Sequence, residues 1–375
     1  MGEPLTDQAL VVSIIINNYN YDRFLRAAID SAVGQSYRPL EVIVVDDGSI
    51  DHSRDIICSY SNQITPILKE NGGQASALNA GFAQSHGDIV IFLDADDVLL
   101  PEAARLAAEV FLDKPHVSKV MYRMEIIDAT GRRTGAIKPA DYLRLPSGDL
   151  SRQILAFPFD MTWMPTSGNA FSGRVLHQIF PIPAASFRIL ADFYLSHVTP
   201  LFGPVVFLEE VGGCYRIHGH NNYESADRVI NLDQVRRTII YASHTETQIE
   251  RYARQLGFGT SGKKAARGVS VSIVANRLIS LKLDPVTHPI QGDNAWRLFR
   301  LGVTAALGRF DVKWPMRLMF VLWFLTMVMA PRSMAPWLAE RFLYPEKRKR
   351  LNQVLRLFHG RINEANTLQL IDDEP

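Results

Sequence analysis

Two aspartates one residue apart, Asp94 and Asp96, follow directly on the apolar run at residues 89–93. Five apolar residues in a row have the character of a strand buried on both faces, which has no structural need to end in carboxylates. Side chains alternate along a strand, so a strand continued through the motif sends Asp94 and Asp96 to one side of its C-terminal end, where open α/β sheets bind ligands. Two carboxylates there suit a hard divalent cation, Mg²⁺ or Mn²⁺, held with open positions for phosphate oxygens. The competing explanation is a solvated turn in which Asp97 caps a helix starting near Pro101.

The elements needed to position such a site are legible around it. Residues 10–16 form a first apolar, β-branched run closed by Asn17-Asn18-Tyr19-Asn20. Leu25, Ala28, Ile29 and Ala32 recur at helical spacing over 22–36. Residues 41–45 predict a second strand ending in Asp46-Asp47-Gly48-Ser49, residues 65–68 a third, and Asn71-Gly72-Gly73 a turn that opens a helix over 74–85. Strands alternating with helices over short connections predict a mostly parallel sheet with right-handed crossovers. Three of its strand ends then carry polar clusters on one edge. Beyond residue 117 the pattern loosens into short strands and loops through 223, with a helix over 187–197 and a strand pair at 205–208 and 213–217. Helices are expected over 227–256 and 263–283, with a linker at 257–262 between them.

Composition narrows the class. With 375 residues, 47% apolar and 21% charged, the chain has the make-up of a globular protein of two units. Its formal net charge of +1 gives no argument for nucleic acid, but the charge is uneven: residues 296–361 hold 13 Lys/Arg against 3 Asp/Glu. Within that segment, residues 318–330 carry no charge, fewer than the ~20 apolar residues a spanning helix needs. Trp296, Trp314, Trp323 and Trp337 surround them and Lys347-Arg348-Lys349-Arg350 follow, a combination that fits a helix lying in or dipping into an anionic membrane surface. Cys58 and Cys214 lie in no metal-binding spacing and are expected as buried, reduced thiols. No basic-then-apolar leader is visible, so the expected location is cytoplasmic, peripherally on the inner face of the cell membrane.

Taken together, Val12-Ser13-Ile14-Ile15-Ile16-Asn17-Asn18-Tyr19-Asn20, Val44-Val45-Asp46-Asp47-Gly48-Ser49, Glu70-Asn71-Gly72-Gly73-Gln74 with Asn79-Ala80-Gly81, and Leu93-Asp94-Ala95-Asp96-Asp97 resemble glycosyltransferase family 2. Four motifs in the family's order make the likeness specific over roughly residues 10–223. It implies a GT-A fold: residues 1–225 as a catalytic domain, with a nucleotide-sugar half over 1–115 and an acceptor half over 116–225, followed by a helical region over 226–375. It further implies that Asp47 accepts a hydrogen bond from the nucleobase, usually uracil. Asn17 and Asn20 would contact the nucleoside, and Gly73 and Gln74 would line the donor site. Asp96 would touch the metal, Asp94 the ribose or the metal shell, and His218 would be a further metal ligand, with Arg216 facing phosphate. Thr166-Ser167-Gly168-Asn169 and Ile189-Leu190-Ala191-Asp192-Phe193 resemble the acceptor pattern, with Ala191 where the family commonly has Glu. Asp192 is thereby the expected general base. The activity implied is metal-dependent, inverting transfer of a sugar from a nucleoside-diphosphate donor, expected as UDP-linked, to a glycan or lipid-linked acceptor in cell-surface polysaccharide synthesis.

Two rivals fit less well. A sugar nucleotidyltransferase needs an N-terminal glycine-rich loop for its triphosphate, and residues 13–20 contain no glycine. A non-catalytic membrane-anchoring subunit has no use for four carboxylates at Asp47, Asp94, Asp96 and Asp192. A nicotinamide dehydrogenase is excluded by the lack of Gly-x-Gly-x-x-Gly after the first strand.

Overall fold

Four of the apolar runs become the parallel half of one sheet: β1 (Val12–Asn18), β2 (Leu40–Asp46), β3 (Thr65–Leu68) and β4 (Ile89–Asp94). In the computed structural model, which describes residues 9–60, 62–140, 145–219, 221, 230–258 and 269–344, they lie in the order β3-β2-β1-β4. Their crossovers carry α1 (Asp22–Val33), α2 (Ser53–Ser59) and α3 (Gln74–Phe82). Alternation along each strand divides the core in two. Val12, Ile14, Ile16, Val44, Ile91 and Leu93 pack with α1 on one face, and Ile15, Ile43, Val45, Val90 and Phe92 pack with α3 on the other.

The remaining strands turn this into a mixed sheet. After β5 (Val98–Leu99) and α4 (Ala103–Asp113) come β6 (Lys119–Asp128), β7 (Arg133–Lys138), α5 (Ser151–Ala156), β8 (Asn169–Ser172), α6 (Gly173–Ile179), α7 (Ala191–Val198) and β9 (Val205–Ile217). The full order is β3-β2-β1-β4-β8-β6-β9-β5, with β7 paired to β6. β8 joins β4 and β6 antiparallel, while β6 and β9 run parallel. The expected pair at 205–208 and 213–217 is therefore one strand. It stays continuous through two register shifts against β6, because Gly212 presses on the Tyr122 ring where a Cβ would come within 2.4 Å. The expected helix over 187–197 begins only at Ala191.

The C-terminal part is helical: α8 (Leu232–Gln255), α9 (Val271–Leu283), α10 (Ala295–Gly308), α11 (Trp314–Met329) and α12 (Ala335–Leu343). α9 to α12 share a separate apolar core that includes Leu278, Leu298, Phe324 and Ala339. This bundle is tied to the sheet by Asp160, whose carboxylate accepts the N–H groups of Val271 and Ser272 at 2.7 and 2.8 Å and meets Arg309 at 3.1 Å. Asp160 thus satisfies orphan donors at the N-terminus of α9. Among the described residues, no helix is long and apolar enough to cross a membrane. The expected linker lies mostly outside the described residues, as do Lys347 to Arg350. Cys58 is exposed, contrary to expectation, whereas Cys214 is buried.

Candidate active site

The C-terminal ends of β1, β2 and β4 meet on one edge, with Asn17 opposite Asp94 and Asn18 opposite Asp46 in the strand register. Asp94 Oδ1 accepts from Asn17 Nδ2 at 3.1 Å and Gln74 Nε2 at 3.3 Å, and its N–H donates to Ser167 Oγ at 3.1 Å. The strand stops at Asp94. Asp97 N–H donates to Asp94 O at 3.0 Å and closes a turn over residues 94–97, so it is this turn, not strand alternation, that places Asp96. From the turn, Asp96 Oδ2 lies 3.0 Å from His218 Nε2, just past the end of β9. Tyr21 and Phe24 pack around the His218 ring.

Two expectations at this edge are corrected. Asp97 is not a helix cap, since α4 starts at Ala103. It is buried, and its Oδ1 accepts the Arg216 N–H at 2.9 Å, pinning β9 to the turn. Arg216 is also buried, with its Nε donating to Asp96 O at 2.7 Å, so its guanidinium serves the turn rather than facing a phosphate. Burial and the neighbouring Asp96 and Asp94 push the Asp97 carboxyl well up. Asp94 is pushed up to about 7 by burial, then by Asp96 and Asp192, and Tyr21 to about 12 by burial and the same acidic turn.

On the other side of Asp94, Gln74 spans two halves of the site. While Nε2 reaches Asp94, its Oε1 accepts the Ala191 N–H at 3.0 Å, at the start of α7. Ala191 is wholly buried. Asp192 follows, half-buried in the first turn, with Oδ1 accepting the Phe193 N–H at 2.8 Å. Burial lifts Asp192 to about 6, opposed by those helix N–H groups and by the charge of Lys119.

Lys119 is a further residue of the site that sequence reasoning does not single out. It is fully buried, with Nζ 3.2 Å from Asn169 Oδ1 and 4.2 Å from the centre of the Trp163 ring. Burial drops its ammonium to about 7. The strand it opens also carries Arg123, Glu125 and Asp128, so a charge at 119 does not stand out in the sequence. Thr166 to Asn169, expected in the acceptor pattern, form the turn beneath Asp94, and Tyr122 OH holds Ser167 O at 2.8 Å.

The residues expected to face the nucleoside are occupied by internal bonding. Asp47 accepts from Gly72 N at 3.0 Å, Gly73 N at 2.6 Å and Lys69 Nζ at 2.6 Å, so in this structure both carboxylate oxygens brace the 69–73 loop. A nucleobase N–H must share or displace these donors. Gly73 has φ +87°, and a Cβ would come within 2.4 Å of Arg188 O, so chain packing already requires glycine there. Asn20, at φ +57°, accepts the Ile50 N–H at 2.9 Å. Asn79 exchanges two 2.8 Å hydrogen bonds with the Ile182 backbone and is structural. Asn17 differs: its buried Oδ1 has no hydrogen-bond partner at the edge where a donor would sit.

Among the described residues, no group of three or more His, Cys, Asp or Glu is arranged to enclose a metal ion. Asp96 and His218 nonetheless pair a carboxylate with an imidazole, and the repulsion that lifts Asp94 is what a cation would relieve. The donor set fits an ion that draws its other ligands from substrate oxygens and water, as Mg²⁺ and Mn²⁺ do.

A family model described as glycosyl transferase family 2 matches residues 13–179. A glycosyltransferase of Nostoc sp. (strain PCC 7120) is 37% identical over 252 residues, covering 66% of this chain and 77% of that protein. The chain belongs to glycosyltransferase family 2. It is a transferase with the mixed α/β GT-A sheet of that family. A glycosyltransferase of Rickettsia prowazekii is 38% identical over 130 residues, 34% of this chain and 41% of the relative. Among solved structures, S. aureus TarS 1–349 in complex with UDP aligns at 15% identity, covering 84% of this chain and 90% of the other, with a TM-score of 0.48.

Proposed function

We propose that this family 2 enzyme transfers a sugar from a nucleoside-diphosphate donor, with UDP as the nucleotide, to a hydroxyl of a glycan or lipid-linked saccharide. The transfer inverts the anomeric centre, depends on Mn²⁺ or Mg²⁺, and serves cell-surface polysaccharide synthesis. The observation that carries this reading is the convergence on one sheet edge of Asp94, Asp96 and His218, with Gln74 linking Asp94 to Ala191 at the start of the helix that carries Asp192.

Asp96 and His218 would hold the cation, which supplies positive charge where the departing diphosphate becomes more negative. Asp94, fixed by Asn17 and Gln74, borders the ribose and the metal shell. Asn17 Oδ1, buried and unpartnered, is free to accept from a nucleoside hydroxyl. Asp192 takes the proton from the acceptor hydroxyl as its oxygen attacks the anomeric carbon. A carboxylate near 6 is ionised at neutral pH yet more basic than an ordinary aspartate, which suits that role. Asp47 and the Gly72–Gly73 backbone form the nucleobase end, with Lys69 as the donor that yields. The acceptor is placed at the inner face of the cell membrane by the C-terminal helices, whose exposed apolar side chains support the assignment.

The test is transfer and donor hydrolysis screened across nucleotide sugars with and without Mn²⁺. Asp96→Asn should bind nucleotide but lose metal-stimulated turnover; full turnover of this variant in excess chelator would sink the metal assignment. Asp192→Asn should bind donor yet fail to transfer, and wild-type transfer rates would place the base elsewhere.

A further inference from the structure

α11 exposes one continuous apolar stripe. Trp314, Leu318, Leu322, Leu325 and Met329 follow each other at three- and four-residue spacing and are 39–65% exposed, while Phe324, Met327 and Val328 face the bundle core. Exposed Phe310, Met334 and Trp337 flank it in sequence. A stripe of this extent exceeds the scattered apolar exposure of an ordinary surface. The segment that carries it is cationic: Arg297, Arg300, Lys313 and Arg332 are exposed, and residues 295–344 hold seven Lys/Arg against two Asp/Glu, one of which, Asp311, is bound by Arg309.

A pocket of about 280 Å³ is lined by Leu278, Leu281, Lys282, Pro285, Ala295 and Arg332, the last of these lying three residues past Met329 at the end of α11. Lys282 Nζ uses one donor on Val328 O at 2.8 Å. The nearest acids in sequence are already committed: Asp284 binds Arg236 and Thr287, and Asp293 binds Arg277 and His288. No carboxylate is among the described residues that line the pocket. Exposed apolar side chains adjoin its lining segments, with Val286 after Pro285, Trp296 after Ala295 and Met334 beyond Arg332, each more than half exposed.

Resting on the membrane placement above, we infer that this pocket is a binding site for the phosphate headgroup of an anionic phospholipid, seated while the α11 stripe inserts among the acyl chains. Apolar walls take the glycerol and upper acyl carbons, and Lys282 and Arg332 meet the phosphate. The two cations and the apolar rim together select a bilayer lipid over a protein partner, because cations in an apolar pocket match a charged group carried on a hydrocarbon body.

The experiment is sedimentation of the full chain with vesicles of phosphatidylcholine and of an equimolar phosphatidylcholine–phosphatidylglycerol mixture. Binding should favour the anionic vesicles. Arg332→Gln, on the surface and clear of the catalytic residues, should weaken that binding about fivefold, the effect of one basic residue at an anionic surface. The double variant Leu318→Glu/Leu322→Glu should abolish binding to both vesicle types while leaving nucleotide binding intact. If anionic vesicles bind but Arg332→Gln and Lys282→Gln both bind equally well, the headgroup pocket is wrong and the membrane placement stands. Failure of the wild type to bind either vesicle overturns both. A stable dimer in solution that Leu322→Glu splits assigns the stripe to a second copy and overturns the inference. Competition by inorganic phosphate beyond that of chloride at equal ionic strength identifies a free-phosphate site instead.

Discussion

Replacing Lys119 with Met should make the protein more stable and less active near neutral pH. The side chain is fully buried, and burial lowers its ammonium from the ordinary 10.5 to about 7. At about 1.4 kcal/mol per pH unit, keeping Lys119 charged costs the fold about 5 kcal/mol. Methionine fills a similar volume without that cost, though it forfeits the Asn169 hydrogen bond and the Trp163 ring contact, about 1–2 kcal/mol together. The expected net gain is therefore about 3 kcal/mol at or slightly below neutral pH. The sign of the pH dependence follows from proton counts. Between about pH 7 and 10.5 the unfolded chain keeps the lysine proton that the folded chain has released, so this residue makes stability rise with pH. Urea denaturation of both proteins from about pH 7 to about pH 9 should show the wild type closing the gap on Lys119→Met, by up to ~1.4 kcal/mol per unit. The activity arm uses Asp192, which the Lys119 charge holds down. Without it, the acidic limb of the pH–rate profile should move above about 6. Parallel stability curves for the two proteins, or a variant less stable at every pH, would refute the assignment of Lys119 as a buried charge retained at a cost to stability for the sake of Asp192.

Asp293 has a wholly buried carboxylate that binds Arg277 at 2.6 and 2.8 Å and His288 at 3.1 Å. Asp293→Ala leaves Arg277 without its counter-charge and should cost about 3–5 kcal/mol by denaturant titration. These partners hold the Asp293 carboxyl below its usual range, so its contribution is complete above the ordinary aspartate value and declines as pH falls toward the lowered one, visible as an acid-side loss that the variant lacks. Gly73→Ala adds a backbone strain of about 1–3 kcal/mol, from a positive-φ extended conformation that only glycine adopts readily, to a clash with Arg188 O; melting temperature and nucleotide affinity should both fall, and an unchanged pair of values would show that the 69–73 loop tolerates the shift. Gln74→Met keeps the volume but frees Asp94 from Ala191; stability should fall by about 1–3 kcal/mol, because the buried Ala191 N–H loses its acceptor, and kcat should drop by about tenfold or more when assayed well below the variant's thermal midpoint.

The donor-side strands were legible because burial on both faces demands the apolar runs that end at Asn17, Asp46 and Asp94. Asp94, Asp96, Asp192 and His218 were legible as candidates through local motifs whose spacing survives in sequence. Lys119 was not, since nothing local says that a lysine opening a strand lies under the helix of Asp192. Nor could sequence tell that Asp97 spends its carboxylate on the Arg216 N–H and Arg216 its guanidinium on Asp96 O, or that Asp47 is already held by Gly72 and Gly73.

By itself, then, the order of residues determined the parallel strands, the acidic turn at the end of one of them and the family, because each depends on neighbours along the chain. Tertiary structure alone decided which polar groups are spent on the fold and which are left for chemistry. Asp96 meets His218 across 122 residues, and Gln74 reaches Ala191 across 117, through contacts made only when separate elements pack. A carboxylate's basicity is likewise set by what buries it, and burial is a property of the packed molecule rather than of the chain.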